Sequence, residues 1–334
     1  MKTYIIAEAG VNHNGNLELA KKLVDAACEC GADAVKFQTF KAGESTGITA
    51  RKAMYQKNND PAVESQYEML KKLELPFSDF AKLKTYCERK HIDFISTPDG
   101  TESLRCLLDL DVPLIKIGSS EITNYPFLEE IAKSGKPLLL STGMSCLGEV
   151  ERAVTIIREA GNENIKLMHC TTDYPTAPED VNLRAMVTMQ EAFFLPVGYS
   201  DHTMGFEAAV AAVALGAVCI EKHITLDRNM AGPDHKASMP PDTFRDYVRH
   251  IRNTELLMGD GRKRPTPSEK EIMKQARRSI LTVSAFPAGT ILTREMLCYK
   301  RPGTGIAPEY TDIVVGRKLK RNMAKEEAVM WEDI

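Results

Sequence analysis

The chain has 334 residues, 43% of them hydrophobic and 27% charged, which excludes a wholly disordered or fibrous protein and leaves room for two domains or one large barrel with an appendage. Its 43 basic and 46 acidic residues leave a formal charge of −3, so no nucleic-acid or membrane surface is expected. No run of about 18 uncharged apolar residues occurs, Glu8 interrupts the first apolar stretch, and the cysteines are scattered without a C-x-x-C pair; free thiols and a cytoplasmic location are predicted.

Short apolar runs recur at 4–8, 34–38, 93–97, 114–117, 137–141, 165–170, 196–200 and 219–223. They do not alternate polar with apolar, which predicts parallel strands buried on both faces. Helical patterns lie between them. In 17–30, Leu19, Leu23 and Ala26/Ala27 share one face, and Gly31 stands where a C-cap glycine belongs. In 149–160, Val150, Ala153, Val154 and Ile157 follow the spacing i, i+3, i+4, i+7 ahead of Gly161. Residues 206–215 form a small apolar helix ending at Gly216. Eight alternating β and α units predict a (β/α)8 TIM barrel over 1–260. An open doubly wound sheet is disfavoured, because no G-x-G-x-x-G follows any strand. The long connection 40–77 falls on the C-terminal face of the barrel, where active sites form. Residues 261–278, rich in basic residues and proline, read as a solvated linker. From 279 to 334, short β-like runs predict a small tail domain with two related stretches, 286–297 and 323–334.

A parallel barrel points the C-terminal end of every strand at one mouth. The polar residues expected there are Glu8, Lys36, Gln38, Thr97, Lys116, Ser119, Glu121, Ser141, Thr172, Tyr174, Ser200, Asp201, His202 and His223. Lys36 and Lys116 interrupt apolar strands and need an anionic partner. That partner is a phosphate, a substrate carboxylate or an internal salt bridge; a Schiff-base amine of a class I aldolase is the other chemistry open to them. Hydroxyls at Thr97, Ser119, Ser141 and Ser200 suit a small phosphorylated anion. His202 and His223 end adjacent strands and could share one divalent ion, with Asp201 and Glu221 expected behind them. Asp234, in the turn after the eighth strand, is a candidate ligand for a hydroxyl. His13 is either a loop hydrogen-bonding residue or a site residue, and His169 reads as a satisfied core histidine.

The segments IIAEAGVNHNGN, AVKFQTFKA, FISTP, IKIGSSEITNYP, LLSTGM, HCTTDYPT, GYSDHT, IEKHITLD, GPDHKASM and KRPGTG, in this order along nearly the whole chain, resemble the sialic acid synthases, which include N-acetylneuraminate, legionaminate and pseudaminate synthases. The resemblance implies a TIM barrel with a C-terminal antifreeze-like (SAF) domain. It implies a metal-dependent condensation of phosphoenolpyruvate with an open-chain N-acetylmannosamine-type sugar. On that resemblance, His202 and His223 bind Mn2+ or Mg2+. Lys116 and Ser119, with Thr97, Ser141, Thr172 and Ser200, hold the phosphate end, and Lys36 helps hold the carboxylate. Glu121 sits beside the reacting carbons, while Glu8, Gln38, Tyr174 and Asp234 face the sugar. Arg301 is expected to arrive from the other subunit, making a homodimer with swapped C-terminal domains. Asp99 stands where the family often has Phe, and Thr172 where relatives often have Asn.

Overall fold

The computed structural model describes residues 2–52, 56 and 65–334. They fall into two compact units, Met1–Gly259 and Asp260–Ile334.

The first unit is a closed barrel of eight parallel strands. These are β1 (Tyr4–Gly10), β2 (Ala34–Thr39), β3 (Asp93–Pro98), β4 (Ile115–Ile117), β5 (Leu138–Ser141), β6 (Ile165–His169), β7 (Val197–Asp201) and β8 (Cys219–His223). Each pairs with its sequence neighbour, and β8 pairs with β1 in the register Tyr4↔Cys219 to Glu8↔His223. The predicted runs are these strands, with ends moved by one or two residues.

Side chains in a strand alternate between two faces. Facing the helices, Ile5, Val35, Phe37, Phe94, Ile115, Leu140, Leu167 and Val197 join the large core. Facing the barrel axis, Ile6, Ala34, Ile95, Leu139, Met168 and Cys219 form an apolar plug. Two residues further along β1, β2, β3, β5 and β8, the inward side chains become Glu8, Lys36, Thr97, Ser141 and Glu221. The barrel is thus closed below by hydrocarbon and polar above.

Helices α1 (Leu17–Cys30), α4 (Phe77–Lys90), α5 (Thr101–Asp109), α6 (Tyr125–Ala132), α7 (Leu147–Glu159), α8 (Arg184–Phe193), α9 (Glu207–Ala214) and α10 (Pro241–Met258) belong to this unit. In α1 the Asn16 side chain accepts hydrogen bonds from the amides of Glu18 and Leu19, and Gly31 ends the helix at φ 83°, a backbone region that glycine enters without strain. In α7, Val150, Ala153, Val154 and Ile157 are all buried, as their spacing predicts. The connection after β2 holds α2 (Ala42–Ser45) and α3 (Gln66–Leu73). Met69 and Leu73 of α3 pack on Val11 and Phe40 in a small separate cluster. Residues 53–55 and 57–64 of the predicted insertion lie outside the described residues.

The second unit begins with helix α11 (Pro267–Ala276), inside the stretch read as a linker. Thr266 and Glu269 form a reciprocal capping box with Pro267 in the first turn, a start signal strong enough to hold a helix that buries no residue. Strands β9 (Ser279–Thr282) and β10 (Leu297–Lys300) pair antiparallel. With the short helix α12 (Thr311–Val314) they enclose a core that includes Ile280, Leu292, Leu297, Val314, Leu319, Met323 and Val329. The two related stretches meet at the Phe286↔Met323 pair, and each carries a 3-10 turn near its end, Arg294–Met296 and Trp331–Asp333. All eight cysteines are free. Among the described residues, no helix is long and apolar enough to cross a membrane.

Candidate active site

The mouth of the barrel holds a cavity of about 230 Å3. Of the residues predicted to meet there, Glu8, Lys36, Gln38, Thr97, Lys116, Ser119, Ser141, Thr172, Tyr174, Ser200, His202 and His223 line it. Glu221, Asp99, Ser120 and Cys170 line it as well. A larger groove of about 880 Å3, beside Val181, Leu183 and Met204, has Glu207 as its only charged lining residue and offers no comparable chemistry.

The floor of the cavity is ionic. Lys36 Nζ lies 2.8 Å from Glu8 and 3.8 Å from Glu221, and Lys116 Nζ lies 3.3 Å from Glu221. All four side chains are almost completely buried, so each charge depends on the others. Burial alone would push Glu221 up, but Lys116 and Lys36 overcome it and hold this carboxylate below its usual range. Glu8 faces Lys36 and the Glu221 charge; there burial wins, and its carboxyl is held above the usual range. Burial also works against the Lys36 ammonium, but Glu221 and Glu8 outweigh it and keep Lys36 protonated. The internal salt bridge that the lysines required is therefore present. It stands at the bottom of a cavity.

The hydroxyl side follows β4 to β7. Ser119 Oγ accepts a hydrogen bond from the Gly143 amide at 3.0 Å and lies 3.3 Å from Cys170 Sγ. Gly143 has no room for a side chain, since a Cβ there would stand 2.3 Å from Thr172 Oγ1 and 2.8 Å from Ser119 Oγ. Ser200 Oγ is 3.0 Å from Glu221 Oε1 and 3.2 Å from His202 Nε2, with one proton for two acceptors.

His202 and His223 have ring centroids 5.7 Å apart, and Tyr174 packs over His202 at 4.1 Å. His202 Nδ1 lies 2.6 Å from the Thr171 carbonyl, which can only accept, so the ring proton is on Nδ1 and Nε2 is left as a lone pair. His223 Nδ1 is buried with no hydrogen-bond partner among the described residues, 4.0 Å from Asp234 Oδ2. Burial lowers both imidazoles, His202 to about 4 and His223 to about 3, so both are neutral ligands at neutral pH. Two neutral imidazoles with free lone pairs at this separation fit one divalent ion, given metal–nitrogen bonds of about 2.1 Å. A backbone carbonyl fixing one tautomer is the outer contact that such ligands use. Among the described residues, no three His, Cys, Asp or Glu converge as a closed metal cage. A metal here would keep open positions.

One expectation changes. Asp201 does not stand behind the histidines. The strand alternation turns it outward, where it accepts hydrogen bonds from Thr203 and Tyr247 and pairs with Lys222 at 3.1 Å. Of these two carboxylates it is Glu221 that reaches the pair, through Ser200. Glu121 flanks the cavity wall through its neighbour Ser120 and accepts from Asn124 Nδ2 at 2.6 Å. Asp234 stands beside His223 outside the lining. Arg301 belongs to the second unit, where its Nε donates to the Ala276 carbonyl. His13 is buried in its loop and accepts from the Gly15 amide, and His169 bonds the Val181 carbonyl. Sequence reasoning overlooked Cys170 and Ser120 as wall residues; their places just beyond β6 and β4 were the available signal.

Fold and cavity together define a TIM barrel with a polar, ionic cavity at its mouth, the place where such barrels carry active sites. The sequence pattern of the NeuB family matches residues 23–263, and that of the SAF domain matches residues 277–334. The chain belongs to the NeuB family. It is 46% identical to the N,N'-diacetyllegionaminic acid synthase of Legionella pneumophila, covering 100% of this chain and 95% of that one. It is 35% identical to the human N-acetylneuraminate-9-phosphate synthase, over 98% of this chain and 92% of that one. The crystal structure of N-acetylneuraminic acid synthetase from Leptospira borgpetersenii, in complex with citrate, superposes with a TM-score of 0.71 at 33% identity, covering 82% of this chain and 90% of that one.

Proposed function

We propose that this enzyme condenses phosphoenolpyruvate with an open-chain N-acetylmannosamine-type sugar, releasing phosphate, and that its preferred acceptor is the 2,4-diacetamido-2,4,6-trideoxy sugar of legionaminate synthesis. The observation that carries the reaction is the lining of the cavity. Two buried lysines, Lys36 of β2 and Lys116 of β4, stand over Glu8 and Glu221, the hydroxyls of Ser119, Ser141, Thr172 and Ser200 follow along β4 to β7, and the neutral histidine pair ends β7 and β8. The 45–46% identity to two synthases named for N,N'-diacetyllegionaminic acid supports the acceptor.

Lys116 and Lys36 hold the phosphate and carboxylate of phosphoenolpyruvate, with Ser119, Ser141, Thr97, Thr172 and Ser200 as short donors. His202 and His223 would hold Mn2+ or Mg2+, which when bound polarises the aldehyde oxygen of the sugar. The methylene carbon of the enol attacks the aldehyde carbon, and positive charge develops at the carbon bearing phosphate. Glu121 stabilises that charge and positions the water that adds there. The adduct then expels phosphate and leaves the keto acid. Fixing two substrates over one ionic floor supplies much of the acceleration through orientation. Arg301 reaches the acetamido group from the partner subunit of a swapped homodimer, and the eight free thiols support a cytoplasmic location.

Phosphate release from phosphoenolpyruvate with Mn2+ tests the reading, offering N-acetylmannosamine and the diacetamido sugar in parallel. Faster release with the diacetamido sugar is expected. Release with neither defeats the synthase and returns the lysines to the aldolase chemistry, which borohydride trapping with pyruvate detects. Lys36 as it stands is a poor Schiff-base nucleophile, because its amine is protonated between Glu221 and Glu8.

A further inference from the structure

Asp99 follows β3 and lines the cavity, yet no hydrogen bond or ion pair to its carboxylate is found among the described residues. Its amide is used in the fold, donating to the Thr39 carbonyl at 3.1 Å. An aspartate just ahead of a helix would ordinarily cap it. Here α5 is capped from elsewhere. Glu44 of α2 accepts from the Glu102 amide at 2.8 Å and from the Ser103 hydroxyl at 3.0 Å. Gly100 stands between them at φ 147°, and its Cα is so close to Glu44 that a Cβ would meet that side chain at 2.9 Å. The capping role is therefore taken, and the carboxylate of Asp99 is released toward the cavity.

Among the described residues, the charges acting on Asp99 are those of Glu121, Glu8 and Glu44 and of Lys36, which is already engaged by Glu8 and Glu221. A half-buried carboxylate with no protein donor is left to water, or to a ligand that supplies the proton when it fills the cavity. Phosphoenolpyruvate is an anion with neither hydroxyl nor N–H groups to offer a carboxylate. The acceptor sugar carries several hydroxyl and amide protons.

We propose that Asp99 is a specificity-determining residue for the acceptor sugar, taking a hydrogen bond from a hydroxyl or acetamido N–H beyond the reacting aldehyde. The proposal rests on the synthase reading. A site built to accept a hydrogen bond rejects analogues that lack the donor, because the bound ligand then covers its polar group and leaves it unpaired.

The test is equilibrium binding of the reduced, open-chain sugar alcohols, which cannot react, alongside steady-state kinetics, in wild type, Asp99→Asn and Asp99→Ala. Asp99→Ala should weaken sugar binding about tenfold or more and raise the sugar KM to match, with the KM for phosphoenolpyruvate within about twofold. Asp99→Asn keeps one acceptor oxygen and should fall between. Among analogues deoxygenated one carbon at a time, one should lose in wild type what Asp99→Ala loses, and be insensitive to the substitution. Unchanged sugar binding in Asp99→Ala overturns the proposal, and so does an equal loss of phosphoenolpyruvate affinity. If wild type binds the sugar alcohol but makes no product, the synthase reading fails while Asp99 is still judged by binding. If wild type binds no sugar, both fall.

Discussion

At the scale of single residues, the proposed mechanism gives binding and charge stabilisation to different groups. Glu121 is oriented by Asn124 and touches none of the lysines, so Glu121→Gln removes a charge while keeping the shape and the Asn124 contact. Turnover should fall about 10²–10⁴-fold with both KM values within about threefold; normal turnover would remove Glu121 from the mechanism. The histidine pair makes a pH prediction. Both are lowered by burial, to about 4 and about 3, whereas an unfolded chain titrates near 6.5. A base lowered in the folded state contributes stability above its unfolded value and loses it as pH falls toward its folded one. Metal-free wild type should therefore lose on the order of 2 kcal/mol per histidine between pH 7 and pH 4.5. Asp99 and Asp234, both raised by burial to about 7, oppose that trend, so the comparison must be made against a variant. Urea unfolding of His202→Gln/His223→Gln beside wild type reads the difference, and parallel pH curves for the two proteins would contradict it.

At the scale of elements, the site is a consequence of strand register, and so is its legibility. Eight apolar runs identified the strands because parallel strands are buried on both faces. The inward position at each strand end then collected Glu8, Lys36, Thr97, Lys116, Ser141 and His223 without further information. Asp201 was misplaced because adjacency in sequence was weighed above the two-residue period; its inward neighbours are Ser200 and Glu221, and it points to Tyr247. The α11 helix was hidden by its charge and prolines, although Thr266, Pro267 and Glu269 carry its start signal. The freedom of Asp99 could not be read at all, because it depends on Glu44, 55 positions earlier, capping α5. The turn after β5 gives an element-scale test. Gly143→Ala places a methyl group against the Thr172 and Ser119 hydroxyls, the side assigned to phosphate. Small displacements of such donors weaken anion binding more than they destabilise a barrel. The KM for phosphoenolpyruvate should rise about tenfold, the sugar KM by less than about twofold, and Tm should fall by only a few degrees. An unchanged phosphoenolpyruvate KM would mean that the phosphate binds elsewhere.

At the scale of the whole molecule, the question is whose barrel Arg301 serves. The arginine belongs to a unit with its own core of Ile280, Leu292, Val314, Leu319 and Val329, packed separately from the barrel core. A unit that keeps its own core can be exchanged between two copies without unfolding either barrel. Suppose each site joins the barrel of one chain to Arg301 of the other. Glu121→Gln homodimers are then inactive, and Arg301→Ala homodimers are impaired in acceptor binding. In a mixed dimer one site carries both defects and the other carries neither. Random mixing makes half of all dimers mixed, so co-expression should restore about a quarter of wild-type activity. If Arg301 serves its own chain, every site in every dimer keeps one defect, and activity stays at the mean of the two parents. If Arg301→Ala alone retains wild-type kcat/KM for the sugar, the arginine has no part in the site. Tandem purification of dimers bearing two different tags separates the mixed species from the parents. Their activity per dimer should then reach half that of wild type, a value that sharing within one chain cannot produce.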